Sequence, residues 1–169
     1  QIDGGAGDDI LVGGAGNDVV RAGDDDDVLV GGDGVDTLYG DSGADLIAGG
    51  DDSDLVFGGL GSDQIGGGAG NDSLLGEIGD DQIAGGAGDD ILQGDAGADG
   101  FLFDSNTAFS TELIGRDTIV DFVTGSDKII LDKTTFTALT SPANKSLSAS
   151  EFAVIDESVN GAAVAGTGS

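Results

Sequence analysis

The chain has 169 residues, of which 34 are Gly and 33 are acidic, and four Glu among the acidic residues leave 29 Asp. Its formal net charge of −28, with only five basic residues, excludes binding to nucleic-acid phosphates and disfavours contact with an anionic membrane surface. The absence of Cys and His excludes disulfides, thiolate zinc sites and catalysis by a histidine base.

Two readings of this composition compete. High charge and high Gly content are typical of disordered chains, yet 38% of the residues are hydrophobic. No apolar run approaches the roughly 18 residues that suggest a membrane span. No signal-peptide pattern follows Gln1, so we expect an internal piece of a longer chain. The spacing of the charged and apolar residues decides between disorder and a fold.

A nine-residue pattern, G-G-x-G-x-D-x-U-x with U apolar, begins at Gly4 and continues without insertion to Leu102, giving eleven repeats. The sixth position is Asp in every repeat: Asp9, Asp18, Asp27, Asp36, Asp45, Asp54, Asp63, Asp72, Asp81, Asp90 and Asp99. The eighth position is apolar in every repeat: Leu11, Val20, Leu29, Leu38, Ile47, Val56, Ile65, Leu74, Ile83, Leu92 and Phe101. A flexible acidic linker has no reason to place an aliphatic residue at every ninth position, so the pattern favours a repetitive fold.

Each repeat combines a turn with a short strand. Gly at the first, second and fourth positions lets the chain adopt positive φ and turn sharply. The seventh to ninth positions, as in residues 10–12 and 28–30, predict three-residue strands whose central side chain faces the opposite side from its neighbours. Stacking these strands in parallel would bury the eighth-position side chains as one continuous file.

A few repeats depart from the glycine pattern. The second position is acidic in three repeats, the fourth is Asp in two, and the first is Ala in one: Asp41, Glu77, Asp95, Asp25, Asp52 and Ala22. Because Asp tolerates the left-handed region better than most residues, we expect the fold to absorb these substitutions.

The repeat resembles the RTX, or hemolysin-type, calcium-binding nonapeptide. The resemblance implies an all-β fold, a right-handed parallel β-roll in which two nonapeptides form one 18-residue coil. It also implies that each calcium ion takes one Asp from each of two adjacent loops together with backbone carbonyl oxygens of the glycine-rich turns. The carbonyl ligands expected on this basis are those of Gly4, Ala6, Gly13, Ala15, Gly31, Asp33, Gly40, Ser42, Gly49, Asp51, Gly58, Leu60, Gly67, Ala69, Gly76, Ile78, Gly85 and Ala87.

In such a roll the sixth-position aspartates form two columns, one on each edge. The odd column contains Asp9, Asp27, Asp45, Asp63, Asp81 and Asp99, and the even column contains Asp18, Asp36, Asp54, Asp72 and Asp90. Strands stack about 4.8 Å apart, so carboxylates in a column repel unless a hard, oxygen-seeking dication such as Ca²⁺ lies between them. Five gaps in the odd column and four in the even column predict about nine internal calcium sites.

Residues 103–169 lack the nine-residue period and are expected to form a β-rich capping region, truncated at its end, for the roll of residues 1–102. Residues 117–131 read as strand, turn and strand. Their D-x-I-x-D-F-x-x-G-x-D-x-I-x-L spacing resembles the segment after the repeats in serralysin-type proteases. Asp117, Asp121 and Asp127 either hold a further calcium ion or are solvent-exposed carboxylates. A short helix is predicted at residues 148–151 and a strand at residues 152–155.

The resemblance implies the function of a non-catalytic calcium-binding module of a secreted bacterial protein, which folds on meeting extracellular calcium and supports type I secretion and an attached domain. Two alternatives stay open: a non-catalytic module of a secreted protease, lipase or epimerase, and an adhesin or surface-layer solenoid. An outward-facing apolar stripe predicts contact with an upstream domain or a second copy, or else consists of tolerated surface residues. The stripe contains Ile10, Val12, Val28, Val30 and Leu46.

Overall fold

The computed structural model describes residues 1–103 and 115–131, which form strands and turns and contain no helix. The strands within the repeats are β1 (Ile2–Ala6), β2 (Ile10–Ala15), β3 (Val19–Asp24), β4 (Val28–Asp33), β5 (Thr37–Ser42), β6 (Leu46–Asp51), β7 (Leu55–Leu60), β8 (Gln64–Ala69), β9 (Ser73–Ile78), β10 (Gln82–Ala87), β11 (Ile91–Gln93) and β12 (Gly100–Phe103). Two further strands follow them, β13 (Thr118–Ile119) and β14 (Lys128–Leu131).

The strands alternate between two parallel sheets. The odd-numbered strands β1 to β13 form one seven-stranded sheet and the even-numbered strands β2 to β14 form the other. Each strand in the repeats pairs in register with the strand one turn later, as in Leu11 with Leu29 and Leu38 with Val56. Two nonapeptides therefore make one turn, and the predicted all-β parallel roll is confirmed.

The strands are longer than the three residues predicted from the sequence. Strands β2 to β10 have six residues each, because the ladder continues through the first three positions of the following repeat. Gly14 thus pairs with Gly32, and Ala15 with Asp33. A Cβ added at Gly32 would lie closer than 3.0 Å to the carbonyl oxygen of Gly14, so a side chain at this position requires the adjacent turn to shift.

The core between the two sheets is a single file of eighth-position side chains, as predicted. Their exposed fraction lies between 0% and 3%, except for Leu11 in the first turn, which is 9% exposed. Ala22 joins this file, and Ile2, Phe103, Ile119 and Phe122 pack against it. One large apolar side chain per nonapeptide is therefore the whole core of the repeats.

The acidic residues that replace glycine adopt the glycine conformation. Asp25, Asp41, Asp52, Glu77 and Asp95 have φ between 62° and 81°. The fold absorbs these five substitutions, as expected, by placing non-glycine residues in the left-handed region, where Asp is among the better-tolerated types.

The segment after the repeats extends both sheets. β13 pairs with β11, and β14 pairs with β12, both in parallel. The predicted strand, turn and strand are present, but the two strands lie in different sheets. Phe122 covers the end of the core, with its ring centroid 6.2 Å from that of Phe101. Residues 104–114 and 132–169, including the helix and strand predicted at 148–155, lie outside the described residues.

Candidate metal centre

The sixth-position aspartates form two hydrogen-bonded columns. The backbone N–H of each Asp donates to Oδ1 of the Asp 18 residues later, at N···O distances from 2.7 to 3.0 Å. The odd column runs from Asp9 to Asp99 and the even column from Asp18 to Asp90, so the structure brings together the side chains that the sequence assigned to each column.

Both columns continue into the segment after the repeats. The N–H of Asp90 donates to Oδ1 of Asp117, and the N–H of Asp99 donates to Oδ1 of Asp127, each at 3.2 Å. Asp121 instead accepts hydrogen bonds from the N–H groups of Gly94 and Asp95. A single calcium site shared by Asp117, Asp121 and Asp127 is therefore wrong, because Asp117 and Asp127 belong to different columns.

The second carboxylate oxygen of each internal Asp is buried without a hydrogen-bond partner. This holds for Oδ2 of Asp27, Asp36, Asp45, Asp54, Asp63, Asp72, Asp81, Asp90 and Asp99. The nine residues are between 0% and 3% exposed. Burying an ionised carboxylate without a partner is strongly unfavourable, so these oxygens require a cation or a proton.

Backbone carbonyl oxygens border the same spaces. The position that a Cβ of Gly58 would take lies 2.5 Å from Oδ2 of Asp63 and 2.7 Å from the carbonyl oxygen of Gly76, one turn later. The equivalent position at Gly4 lies 2.6 Å from Oδ2 of Asp9 and 2.7 Å from the carbonyl oxygen of Ala22. The missing side chain keeps a small space open between a carboxylate and a carbonyl oxygen. In the third repeat Ala22 stands at the corresponding position and is fully buried.

The predicted carbonyl ligands fall into two groups. First-position carbonyls face the open spaces of the previous turn in six cases: Gly31, Gly49, Gly58, Gly67, Gly76 and Gly85. Third-position carbonyls already accept an N–H from the previous turn in five cases: Asp33, Asp51, Leu60, Ile78 and Ala87. Each of these keeps one lone pair for a metal ion. The other predicted carbonyl ligands also occupy the first or third position of their repeats: Gly4, Ala6, Gly13, Ala15, Gly40, Ser42 and Ala69.

The donor set consists of oxygen alone. Among the described residues, no three Asp, Glu, His or Cys side chains converge on one point. A site in either column therefore combines carboxylates from adjacent turns with backbone carbonyls. Hard cations that accept six to eight oxygens, Ca²⁺ above all, suit such a site, whereas zinc and other transition metals prefer nitrogen and sulfur.

Burial raises the pKa of the column carboxyls from Asp45 to Asp99. Desolvation, reinforced by the neighbouring carboxylates, raises the pKa of Asp45, Asp63, Asp72 and Asp81 to about 6, although a backbone N–H bond to each opposes the shift. Desolvation raises the pKa of Asp117 to about 7. The metal-free columns therefore favour protonation in mildly acidic solution.

The pKa shifts predict that acid stabilises the metal-free roll. A carboxyl whose folded pKa is raised from 3.8 to about 6 contributes stability that is complete below pH 3.8 and is lost as the pH rises through 6. In chelator, circular dichroism is therefore expected to show more strand at pH 5 than at pH 7.5. With saturating calcium this gain on acidification should vanish, since calcium then neutralises the carboxylates. A strand signal in chelator that does not respond to pH would contradict the prediction.

A second hydrogen-bonded row, at the fifth position of the repeat, was not predicted from the sequence. Here the side chain reaches the following turn: the N–H of Val35 donates to Oδ1 of Asn17 at 3.2 Å, and the N–H of Asp89 donates to Oδ1 of Asn71 at 2.9 Å. The available signal was the frequency of Asn, Asp and Ser at this position. These bonds hold the loops in register beside the carboxylate columns.

Comparison with known families identifies the repeat. A family model described as the RTX calcium-binding nonapeptide repeat (4 copies) matches residues 3–38, 30–65 and 66–101. The chain belongs to this family. Its RTX repeats form a structural calcium-binding module that is not catalytic, and calcium is the ligand of these repeats. RTX repeat proteins are typically secreted by bacteria.

Two further findings accompany the family match. The comparison with curated proteins gave no match. Within residues 1–103 and 115–131, no helix is long and apolar enough to cross a membrane.

Proposed function

We propose that this chain is the calcium-binding module of a secreted bacterial RTX protein. It stays unfolded where calcium is scarce, folds on reaching millimolar calcium outside the cell, and in this way supports type I secretion and the stability of an attached domain. The observation that carries the proposal is the set of nine buried Oδ2 atoms without a hydrogen-bond partner. A metal-free roll must hold these groups desolvated, so folding is coupled to calcium.

We assign nine calcium sites to the gaps within the repeats and one more to the end of each column. Two groups border each internal gap: Oδ2 of the upstream Asp and the carboxylate of the Asp one turn later. Asp90 and Asp99 present the same unpartnered oxygen and donate their N–H to Asp117 and Asp127, respectively. Asp121 uses both carboxylate oxygens to accept backbone N–H groups and is left out of the sites.

Titration calorimetry at pH 7.5 tests this assignment. We expect about eleven calcium ions per chain, following the count of column gaps. Asp117→Asn should remove one ion, because it takes a charged ligand from the end of the even column. Asp24→Asn, at an exposed side chain outside the columns, should leave the stoichiometry unchanged. A total of two or three ions would break the column assignment.

The apolar stripe supports a second role for the module. Ile10, Val12 and Leu46 are 79%, 56% and 49% exposed, whereas Val28 and Val30 are partly buried. They lie side by side on β2, β4 and β6 at the start of the even-numbered sheet. We propose that an attached domain or a second copy of the chain covers this surface. The same surface fits both alternatives for the parent protein, a secreted enzyme and an adhesin or surface-layer solenoid. Sedimentation in calcium separates a self-associating chain from a monomer.

A further inference from the structure

A cavity of about 390 Å³ opens on the odd-numbered sheet, over strands β5, β7 and β9. It combines two aromatic rings, two exposed aliphatic side chains and two carboxylates: Tyr39, Phe57, Leu60, Ile78, Asp41 and Glu77. None of these side chains belongs to the aspartate columns, and the combination is particular to these repeats, because Asp41 and Glu77 stand at second positions where most repeats have glycine.

The cavity exists because the middle strand has glycine where both neighbouring strands have a side chain. Asp41, Gly59 and Glu77 are in register on the three adjacent strands. Strand spacing places the Asp41 and Glu77 backbones about 10 Å apart, with Gly59 between them. Both acidic residues have positive φ, of 65° and 75°. Leu60 and Ile78, 52% and 57% exposed, form the apolar side.

The neighbouring turn shows what this arrangement can hold. The guanidinium carbon of Arg21 lies 3.9 Å from the centroid of the Tyr39 ring, and its Nη1 lies 3.6 Å from Oδ1 of Asp41. Tyr39 in turn stacks on Phe57, with ring centroids 4.9 Å apart and planes within 3°. A guanidinium is thus already seated against an aromatic ring and a carboxylate on this surface. The cavity offers the same two kinds of group, an aromatic ring from Phe57 on β7 and a carboxylate from Glu77 on β9.

The charge of the cavity selects a cation. Its walls contain two carboxylates, of which Asp41 is already paired with Arg21. Among the described residues, Glu77 forms no ion pair. The aromatic and aliphatic walls favour a cation with an apolar stem and a flat head, which stacks on a ring and binds a carboxylate through paired N–H groups. The chain's charge of −28 adds a long-range attraction for a basic partner.

We propose that this cavity binds an arginine side chain of a partner protein. The guanidinium lies between Asp41 and Glu77 and its stem contacts Phe57, Leu60 and Ile78. Lysine fits less well, because an ammonium is strongly hydrated and has no flat face to stack. The interaction uses side chains outside the aspartate columns and gives the roll a docking point for a basic segment.

Tyrosine fluorescence provides a local test. Tyr39 is the single Tyr and the chain contains no Trp, so the intrinsic emission comes from the cavity wall. The calcium-saturated chain is titrated with the peptide Ac-Leu-Arg-Leu-NH2 and with the same peptide carrying neutral citrulline. We expect a saturable change in emission with the arginine peptide and at least tenfold weaker binding of the citrulline peptide, since charge-assisted hydrogen bonds are lost.

Variants locate the binding in the cavity. Glu77→Gln should weaken binding of the arginine peptide about fivefold. Leu60→Lys, at an exposed wall position, should weaken this binding by a similar factor through charge repulsion. Asp95→Asn is the matched control, because Asp95 occupies the same repeat position with positive φ but lies outside the cavity. Equal binding of the two peptides, equal effects of Glu77→Gln and Asp95→Asn, or no saturable change in emission would each overturn the proposal.

Discussion

Removal of calcium is expected to abolish the strand signal of this chain at pH 7.5, and millimolar calcium is expected to restore it. Nine carboxylate oxygens are buried without a partner along the two columns. Without a cation, each column stacks like charges at every turn in a desolvated setting, which opposes folding. Calcium between the turns converts this repulsion into attraction.

The net charge of the repeats shows how large the repulsion is in the metal-free chain. Residues 4–102 contain 22 Asp and Glu77 against Arg21, which gives a net charge of −22. The nine dications assigned within the repeats carry +18 and would neutralise most of this charge. The apolar contribution is small by comparison, because each nonapeptide buries one large apolar side chain. Such a narrow core cannot by itself offset the repulsion and the chain entropy.

The measurement is far-ultraviolet circular dichroism in chelator and then in increasing calcium, at constant ionic strength. Magnesium at the same concentration is the matched control. It should restore little of the signal, since it demands a tight octahedral site and gives up its water reluctantly. A strand signal that survives chelation at pH 7.5 would contradict calcium-coupled folding and leave the roll as a calcium-independent scaffold.

The fold could be predicted from two positions of the repeat. Apolar residues at the eighth position, such as Leu38 and Leu74, predicted the buried file, because a solenoid with one turn per two repeats can face all of them inward. Asp at the sixth position predicted the columns for the same reason. Both inferences depend only on the period of the sequence, which stacking converts directly into rows.

Which carboxylate oxygen of each column Asp accepts a hydrogen bond could not be predicted in this way. The sequence contains no signal that Oδ1 of Asp63 accepts the N–H of Asp45 while Oδ2 is left without a partner. The different surroundings of the two oxygens depend on the side-chain torsion and on the stagger between turns. The separation of Asp117 from Asp127 depends likewise on the length of chain between them, because one extra crossing moves the second carboxylate to the opposite edge.

Replacement of a single central column residue is expected to change stability in opposite directions with and without calcium. In Asp63→Asn the amide oxygen can still accept the N–H of Asp45, but the charged oxygen beside the Gly76 carbonyl is lost. In saturating calcium we expect about 3 kcal/mol less stability, because an ion pair in a buried site is broken. The half-saturating calcium concentration should rise at least tenfold.

In chelator the same variant should favour the folded state. A neutral amide is less costly to bury than a carboxylate, and its neighbours Asp45 and Asp81 no longer face a third negative charge. The midpoint of acid-induced folding should therefore move to higher pH in Asp63→Asn. Asp24→Asn, an exposed side chain of the same type, should change stability by less than about 0.5 kcal/mol in both conditions. A loss of stability with and without calcium would mean that Asp63 acts through packing. If the variant gains stability only in chelator and loses stability only in calcium, the charge of Asp63 acts through the bound metal ion and not through packing.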